Sequence, residues 1–400
     1  MKKITKLVAM LLSLSMLGAV TGCGSEKADD EAANDFKVGF IFLHDENSTY
    51  DKNFIDAALA AKESLKLTDE QVLMKTNIPE TNECYEAAAE LVDAGCDVIF
   101  ADSFGHEDFI IQAAKEFPEV VFAHATGTKA HTENLDNYYN AFASIYEGRF
   151  LVGVAAGLKI NEMIDAGKIT PEQAKMGYVG AYPYAEVKSG YTSFYLGAKS
   201  VCPTVTMSVK FTNSWFDIAA EKETANALIA DNCVLISQHA DSEGAPKACE
   251  EAGIPNVAYN LDTREWGPNT ALVSSKINWQ PYFEHIITAT QKGEEIEQDF
   301  CKGLADDVVQ ILGLNETVAA EGTKEKLEEV KAKLIAGEIK VFDTKTFTVD
   351  GKELTEYKAD VDSDAAFTPD TDVVSDGYFH ESEFRSAPYF DIDIDGITIK

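Results

Sequence analysis

The sequence predicts an α/β protein built of two similar Rossmann-like lobes with a ligand cleft between them. From Phe36 onward, short apolar runs alternate with segments of helical period. The runs are apolar throughout, which is typical of parallel strands covered by helices on both faces. The alternation begins a second series near Met176, and 400 residues are enough for two such sheets.

The N-terminal segment has the features of a lipoprotein signal peptide over residues 1–22. Three lysines among the first six residues precede an apolar run over residues 7–17. This run is shorter than the roughly 20 residues that span a bilayer, so it favours a cleaved signal over a retained helix. Val20-Thr21-Gly22-Cys23 resembles the bacterial lipobox, which implies lipidation of Cys23. Cleavage by the ordinary peptidase, with Cys23 incidental, is the alternative. Residues 23–35 are polar and predict a flexible tether.

Charge excludes one class of partner. Asp and Glu total 68 against 34 Lys and Arg, which gives a formal net charge of −34. Nucleic-acid phosphates would repel such a surface, so binding to nucleic acid is not expected. The excess charge is typical of a soluble secreted protein.

The first lobe is predicted over residues 36–145, with 263–300 returning to it. Its predicted strands are 37–43, 72–78, 98–101 and 120–123. Its predicted helices are 51–65, 82–94 and one that ends at 117. Thr81 is the expected N-cap of the second helix. A strand at 271–277 and a helix at 279–292 are assigned to the return.

The second lobe is predicted over residues 146–262 and 301–343. Its strands are expected at 176–180, 205–211, 234–237, 256–259 and 340–342. Its helices are expected at 141–160, 186–200, 217–230, 245–252 and 323–336. Residues 344–400 form an Asp-rich extension, in which 347–352 predict a hairpin with an Asp350-Gly351 turn. The extension lacks the order of ligands of a calcium-binding EF-hand loop.

Residue types typical of catalysis or metal binding are not in the required patterns. No phosphate-binding loop, dinucleotide fingerprint or nucleophile elbow is present, so an enzyme and a cofactor are not expected. His44, His106 and His239 fall in separate loops without the spacing of metal ligands. The six cysteines after Cys23 allow disulfides outside the cytoplasm without indicating a pairing, and their positions favour small buried residues.

The predicted ligand site lies beyond the carboxyl ends of the strands, where open parallel sheets bind ligands. The residues following the strands include aromatic rings, carboxylates and amides: Tyr50, Asp51, Ser103, Phe104, Asp108, Trp215, Asp217, Gln238, Asp241 and Asp262. This combination favours a flat, polar heteroaromatic ligand. Asp108 has an alternative role at a helix N-terminus, where a carboxylate stabilises the dipole.

Several motifs in these loops together resemble the basic membrane protein family of ABC-transporter substrate-binding lipoproteins, related to the purine nucleoside receptors. The resemblance covers about residues 36–342. Its landmarks, in chain order, are Ser103-Phe104-Gly105, Tyr146-Glu147-Gly148-Arg149, Gly177-Tyr178-Val179-Gly180, Gly197-Ala198-Lys199-Ser200-Val201, Ser214-Trp215-Phe216-Asp217 and Gln238-His239-Ala240-Asp241-Ser242. It implies the type I periplasmic binding protein fold, no cofactor, and a monomer on the outer side of the cell membrane that delivers a small ligand to ABC permease subunits.

The resemblance also implies roles for individual residues. Tyr50 and Trp215 correspond to rings that stack on a purine, and Asp51 and Asp108 to its polar contacts. Acid and lysine groups that bind ribose correspond to Asp262 and Lys276. Thr49-Tyr50-Asp51 stands where the family commonly has Ser-Phe-Asn, so a nucleobase and a nucleoside both remain open as ligands.

Two other functions remain open at this point. One is a sensory lipoprotein that reports its ligand to a membrane receptor. The other is an importer component for a sugar or another small molecule.

Overall fold

The structure, a computed structural model, describes residues 35–362, 366 and 368–400. The predicted signal peptide, Cys23 and nearly all of the tether lie outside these residues. From Phe36 onward the chain forms one compact unit. In the part that the structure describes, no helix is both long and apolar enough to cross a membrane.

The first lobe contains a six-stranded sheet in which every neighbouring pair is parallel. Its strands are β1 (Val38–Ile41), β2 (Val72–Lys75), β3 (Val98–Ala101), β4 (Val121–Ala125), β5 (Tyr138–Ala143) and β11 (Asp299–Lys302). They lie in the order β11-β5-β4-β3-β1-β2. Central strands such as β1 and β3 are buried at every position, as the apolar runs predict.

Helices of the first lobe connect these strands. They are α1 (Thr49–Leu65), α2 (Asn82–Asp93), α3 (Glu107–Glu116), α4 (Ala130–Glu133) and α9 (Gln280–Lys292). The Ser48 hydroxyl caps α1 by accepting from the Asp51 amide. Thr81 caps α2 as predicted, by accepting from the Glu83 amide.

The second lobe contains a seven-stranded sheet in the order β12-β10-β9-β8-β6-β7-β17. Its strands are β6 (Lys175–Gly180), β7 (Thr206–Phe211), β8 (Leu235–His239), β9 (Asn256–Tyr259), β10 (Ala271–Ile277), β12 (Val309–Leu312) and β17 (Ile397–Ile399). Only β12 is antiparallel to its neighbour. The helices are α5 (Ile145–Asp165), α6 (Ala185–Val201), α7 (Ile218–Ala230), α8 (Gly244–Ala252) and α10 (Thr323–Ile335). The predicted α/β fold of two lobes is confirmed.

Four details differ from the sequence-based expectations. Residues 141–143 belong to β5 rather than to a helix, because β4 and β11 pair with that segment on both sides. β10 pairs with β9 in the second sheet, although it is expected in the first lobe. β11 completes the first sheet, although its last two residues are expected in the second lobe. Residues 340–342 form a turn rather than a strand.

Helices α5 and α6 touch each other backbone to backbone through glycines. A Cβ atom on Gly153 would lie 2.1 Å from the Phe194 carbonyl oxygen, and one on Gly197 would lie 2.0 Å from that of Phe150. No side chain larger than hydrogen fits at either position. This contact joins the helix that enters the second lobe to the helix that begins at the cleft.

The C-terminal extension folds onto the second lobe. Val349 and Lys352 exchange backbone hydrogen bonds of 2.8 and 3.0 Å, and Asp350 and Gly351 have φ values of 50° and 75°. These values confirm the predicted hairpin and give it a type I′ turn. Two ribbons of two-residue strands follow: β13 (Lys358–Ala359) with β14 (Thr371–Asp372), and β15 (Val374–Ser375) with β16 (Tyr378–Phe379). β17 then adds a parallel strand beside β7.

The six cysteines in the described part of the chain are all free thiols. Five are buried and Cys301 is half-buried, in agreement with the prediction of small buried residues.

Candidate ligand-binding site

A cavity of about 360 Å³ lies between the two lobes, at the carboxyl ends of β1, β3 and β8. Its lining residues come from both lobes: Leu43, His44, Tyr50, Asp51, Ser103, Phe104, Thr126, Glu186, Trp215, His239 and Asp241. Six of them, Tyr50, Asp51, Ser103, Phe104, Trp215 and Asp241, are among the residues predicted from the sequence.

Tyr50 forms an aromatic wall on the side of the first lobe. Its hydroxyl donates to the Asp102 carbonyl oxygen at 2.8 Å, and its ring meets the Phe54 ring edge-on at 4.8 Å. Burial raises the pKa of the Tyr50 phenol well above its ordinary value, so the ring stays neutral. Tyr50 is thus fixed in position at both its ring and its hydroxyl.

Asp51 follows Tyr50, and its carboxylate accepts hydrogen bonds from groups of its own lobe. Its carboxylate accepts from the His44 amide at 2.7 Å and from the Ser48 hydroxyl at 2.6 Å. Burial opposes ionisation, but these bonds and the His44 ring at 3.3 Å hold the pKa of Asp51 below its ordinary value. Asp51 is therefore a carboxylate that fixes the first loop as well as lining the cavity.

An aromatic cluster of Trp215, Tyr182, Tyr184 and Phe104 borders the cavity. Trp215 meets the Tyr182 ring edge-on at 5.1 Å and lies 6.0 Å from the Tyr184 ring. Phe104 of the first lobe stacks on Tyr184 of the second at 5.3 Å. The Thr49 amide also donates to the Asp241 carbonyl oxygen at 2.8 Å, so the two lobes are in contact.

Three polar side chains of the second lobe line the cavity: Glu186, His239 and Asp241. The His239 Nε2 atom lies 3.3 Å from the Glu186 carboxylate. Burial, together with the nearby acids Glu221 and Asp51, raises the pKa of Asp241 well above its ordinary range. Ionisation of Asp241 is therefore opposed by its surroundings, although the Arg149 charge partly offsets this effect.

Arg149 is a fully buried arginine next to these polar side chains. Arg149 donates to the Tyr178 hydroxyl and, at 2.8 Å, to the Gln238 carbonyl oxygen. Its guanidinium lies over the Tyr259 ring at 4.2 Å. Its positive charge favours the ionised form of Asp241, which reduces the cost of burying that acid.

The remaining predicted residues lie away from the cavity. Asp108 is exposed and forms an ion pair with Lys129. Asp217 caps α7 by accepting from the Ala220 amide at 2.9 Å. The Gln238 side chain donates to the carbonyl oxygens of its own loop, at Ala240 and Ser242. Asp262 pairs with Arg264, and Lys276 is half-buried on β10.

Five lining residues are not among those predicted to contact the ligand: Leu43, His44, Thr126, Glu186 and His239. His44 and His239 were considered as metal ligands, and the described residues hold no cluster of three or more groups that could bind a metal ion. Glu186 belongs to the first turn of α6, and Thr126 follows β4. Thr126 directly follows β4, and this position beyond a strand was the signal in the sequence that could have identified it as a lining residue.

Several known proteins are similar in sequence to this chain. The family profile described as ABC transporter substrate-binding protein PnrA-like matches residues 38–345. A purine-binding protein of Brucella abortus (strain 2308) is 31% identical over 327 residues, which cover 80% of this chain and 87% of that protein. A putative ABC transporter glucose-binding protein of Haloferax volcanii is 30% identical over 257 residues, covering 64% and 62%.

Solved structures show the same fold. An ABC transporter solute-binding protein of Aeropyrum pernix K1 superposes with a TM-score of 0.64 at 18% identity. The match covers 77% of this chain and 93% of that one. At this level of identity the likeness shows the fold alone.

Proposed function

The chain belongs to the PnrA-like family of ABC transporter substrate-binding proteins, and from this we propose that its cleft captures a purine base or nucleoside for an ABC importer. One observation carries the proposal. An aromatic residue of each lobe, Tyr50 and Trp215, lines a cavity that also holds polar groups able to contact a ring edge. The purine-binding relative from Brucella supports the same ligand class.

The cavity has the groups that a purine requires. Aromatic faces stack on a flat ring, and each good stack stabilises the complex by roughly 1 kcal/mol beyond the area buried. The carboxyl groups of Glu186 and Asp241 accept hydrogen bonds from ring or amino N–H groups. The ligand itself joins the two lobes, so it shifts the population toward the closed form that a permease recognises.

We also propose that the protein is held at the outer face of the cell membrane through a lipid on Cys23. The support is the sequence alone: a basic start, a short apolar run and Val20-Thr21-Gly22-Cys23. Replacing Cys23 with Ser should release the protein into the soluble fraction, whereas an unchanged membrane fraction would contradict the anchor.

A sugar is the second candidate ligand, favoured by the relative named as a putative glucose-binding protein. Both candidates are tested together. The protein is purified without denaturation, then unfolded, and the released small molecules are identified by mass spectrometry. Calorimetric titration with purine bases, nucleosides and glucose follows on ligand-free protein. We expect a purine in the first experiment and saturable purine binding in the second. Release of a sugar, with no purine binding, would overturn the proposal.

A further inference from the structure

The charge of Arg149 is not matched by an acidic side chain, although this arginine is 0% exposed. Within the part of the chain that the structure describes, its hydrogen bonds go to neutral acceptors, the Tyr178 hydroxyl and the Gln238 carbonyl oxygen. Its Nε and Nη1 atoms have no hydrogen-bond partner among the described residues. Burying a charge without an ionic partner is costly, which indicates a role for Arg149 beyond packing.

Arg149 connects the ends of three neighbouring strands beside the ligand cavity. Tyr178 is on β6 and Gln238 is on β8. The Tyr259 ring on β9 has its centroid 4.2 Å from the guanidinium carbon. In the sheet, β8 lies between β6 and β9. The residue after Gln238 is His239, the last residue of β8, which lines the cavity. Arg149 therefore fixes the part of the sheet from which His239 projects.

The two ring nitrogens of His239 face groups of opposite charge. The Nε2 atom lies 3.3 Å from the Glu186 carboxylate, which belongs to the first turn of α6. The Nδ1 atom is turned toward Gly190 of the same helix, where a Cβ atom would lie 2.9 Å from it. That Cβ atom would also lie 3.5 Å from the Arg149 Nε atom, so the two nitrogens border the same point on α6.

This arrangement favours one form of the His239 ring. A guanidinium N–H group only donates, so the positive charge beside Nδ1 favours a lone pair there rather than a proton. The ring proton then belongs on Nε2, where the Glu186 carboxylate accepts it. Burial lowers the pKa of His239 below 6.5, the Glu186 carboxylate opposes this effect, and the Arg149 charge adds to it. The ring is therefore mostly uncharged at neutral pH.

Two further ionisable groups lie near His239. Tyr259 meets the imidazole edge-on at 5.0 Å, and burial raises the pKa of its phenol well above its ordinary value. Asp241, in the loop after β8, lines the same cavity, and its surroundings oppose its ionisation. Glu186 from α6 and Arg149 from α5 are thus the charged groups that shift the pKa of His239.

We infer that Arg149 is a positioning residue of the ligand site: it holds His239 in the neutral form that donates from Nε2, and thereby orients the Glu186 carboxylate. This inference rests on the proposed function and adds to it a control over how the site responds to pH. Glu186 accepts from a ligand only with the lone pairs that His239 leaves available. A protonated His239 would attract the carboxylate more strongly and draw it away from the ligand. Arg149 therefore protects ligand binding against acid.

The first test follows purine affinity between about pH 5.5 and about pH 8 on the ligand-free full chain. The probes are adenine, adenosine, guanine and guanosine, each measured by calorimetric titration. Arg149→Met keeps a long side chain and removes its charge, so the pKa of His239 should rise into this range. As pH is lowered, we expect this variant to lose about tenfold more affinity than the unaltered protein does.

Matched variants separate a charge effect from a packing effect. Arg149→Lys retains the positive charge and should restore the pH profile of the unaltered protein, even where its affinity is lower at every pH. Adding His239→Gln to Arg149→Met should abolish the extra pH dependence, because Gln keeps an N–H donor for Glu186 and does not titrate. Arg264→Met, at an exposed ion pair with Asp262, is the control and should leave the profile unchanged. Circular dichroism verifies that each variant is folded.

A second measurement needs no ligand. Nitrogen NMR of the histidine rings reports the tautomer and the pKa, and the spectrum of His239→Gln identifies the signals of His239. We expect the proton of His239 to reside on Nε2 at neutral pH in the unaltered protein. We expect the pKa of His239 to be higher in Arg149→Met than in the unaltered protein, because the nearby positive charge is gone.

The outcomes keep the two proposals apart. A proton on Nδ1 of His239, or parallel pH profiles of Arg149→Met and the unaltered protein, would overturn the role of Arg149 and leave purine capture intact. Failure of every purine to bind would overturn the proposed function, while the histidine spectra would still decide whether Arg149 controls His239. If Arg149→Met does not fold, the tautomer in the unaltered protein decides: Nε2 supports the inference and Nδ1 refutes it.

Discussion

At the scale of single residues, Trp215 is the side chain on which purine capture depends most. Its indole is half-buried, and the rings of Tyr182 and Tyr184 fix it from one side. Trp215 also lines the ligand cavity between the lobes. A ring held in this way stacks on a ligand with little loss of side-chain freedom.

We therefore expect Trp215→Ala to weaken purine binding about tenfold or more, because a stack and its buried area are both lost. Trp215→Phe should retain most of the affinity, since it keeps a smaller ring. Trp266→Ala is the control, as Trp266 does not line the cavity. Calorimetric titration measures all three, and an unchanged affinity for Trp215→Ala would exclude this residue as a stacking partner.

Sequence patterns located the loops of the site better than the directions of their side chains. Tyr50 and Trp215 follow strands and do line the cavity, because the carboxyl ends of parallel strands meet at one edge. Asp108 also follows a strand, yet it lies in the first turn of α3 and faces Lys129 at the surface. The position of a residue after a strand places it at the carboxyl edge of the sheet. Whether its side chain then faces the cavity depends on where it lies around the helix that follows.

At the scale of elements, the α5–α6 contact leaves no room for a larger side chain. Gly197→Ala should lower the free energy of unfolding by about 3 kcal/mol, since the added methyl group meets the Phe150 carbonyl oxygen and the helices must separate. Gly253→Ala has no close neighbour and a φ of 67°, so it should cost only about 1 kcal/mol. Urea denaturation measures both, and equal losses would mean that packing at Gly197 is not the cause.

The bond between Ser386 and Asp299 links the extension to the first lobe and should stabilise the closed form. Asp299→Ala removes the acceptor, and we expect the purine to dissociate up to about tenfold faster. Glu297→Ala, an exposed carboxylate two residues earlier, should leave the rate unchanged. Stopped-flow dissociation measures the rates. Identical rates in both variants would show that the extension does not restrain opening.

Elements were predictable where their pattern was local. Thr81 and the Asp350-Gly351 turn were both assigned correctly, because capping and turn formation depend on neighbouring residues. The strands β5, β11, β12 and β17 were not identified as strands. β11, β12 and β17 have only three or four residues and lie at sheet edges, so sequence period alone does not reveal them. β5 is longer, but its last three residues were assigned to the helix that follows it.

At the scale of the whole molecule, several buried carboxyl groups link stability to pH. Burial raises the pKa of Glu221 to about 7 and that of Glu381 to about 7. A raised pKa means that the folded protein holds the proton more tightly than the unfolded chain does. The resulting stabilisation is complete below about pH 4.5 and is lost as pH rises through 7.

We therefore expect the free energy of unfolding to fall between pH 5 and pH 8, by up to about 3 kcal/mol for each of these groups. Glu221→Gln should make the decline shallower, because Gln does not ionise. Glu316→Gln, at an exposed position, should leave the slope as it is. Denaturation curves across this pH range provide the measurement. A stability that rises with pH over the same range would contradict the assignment.

The global plan was predictable because it depends on the repetition of apolar runs along the chain. Two series of strands and helices in the sequence predicted two lobes. The cleft was predicted because two such lobes, joined by several crossings of the chain, leave a gap between them. The path of the extension was not predictable, because its Asp-rich stretch has little hydrophobic period. It is held by separate contacts, such as the stack of Phe390 on Phe342 at 4.4 Å.

The strand β17 also has a consequence for the behaviour of the protein in solution. Without it, β7 would be the last strand of the second sheet and would present unpaired amide and carbonyl groups along one side. An open strand of this kind is a template for the strand of another molecule, and so a route to aggregation. β17 is now the edge strand, but it has only three residues and is followed by Lys400. Short edge strands with a nearby charge are poor templates for pairing, so we expect the extension to reduce self-association.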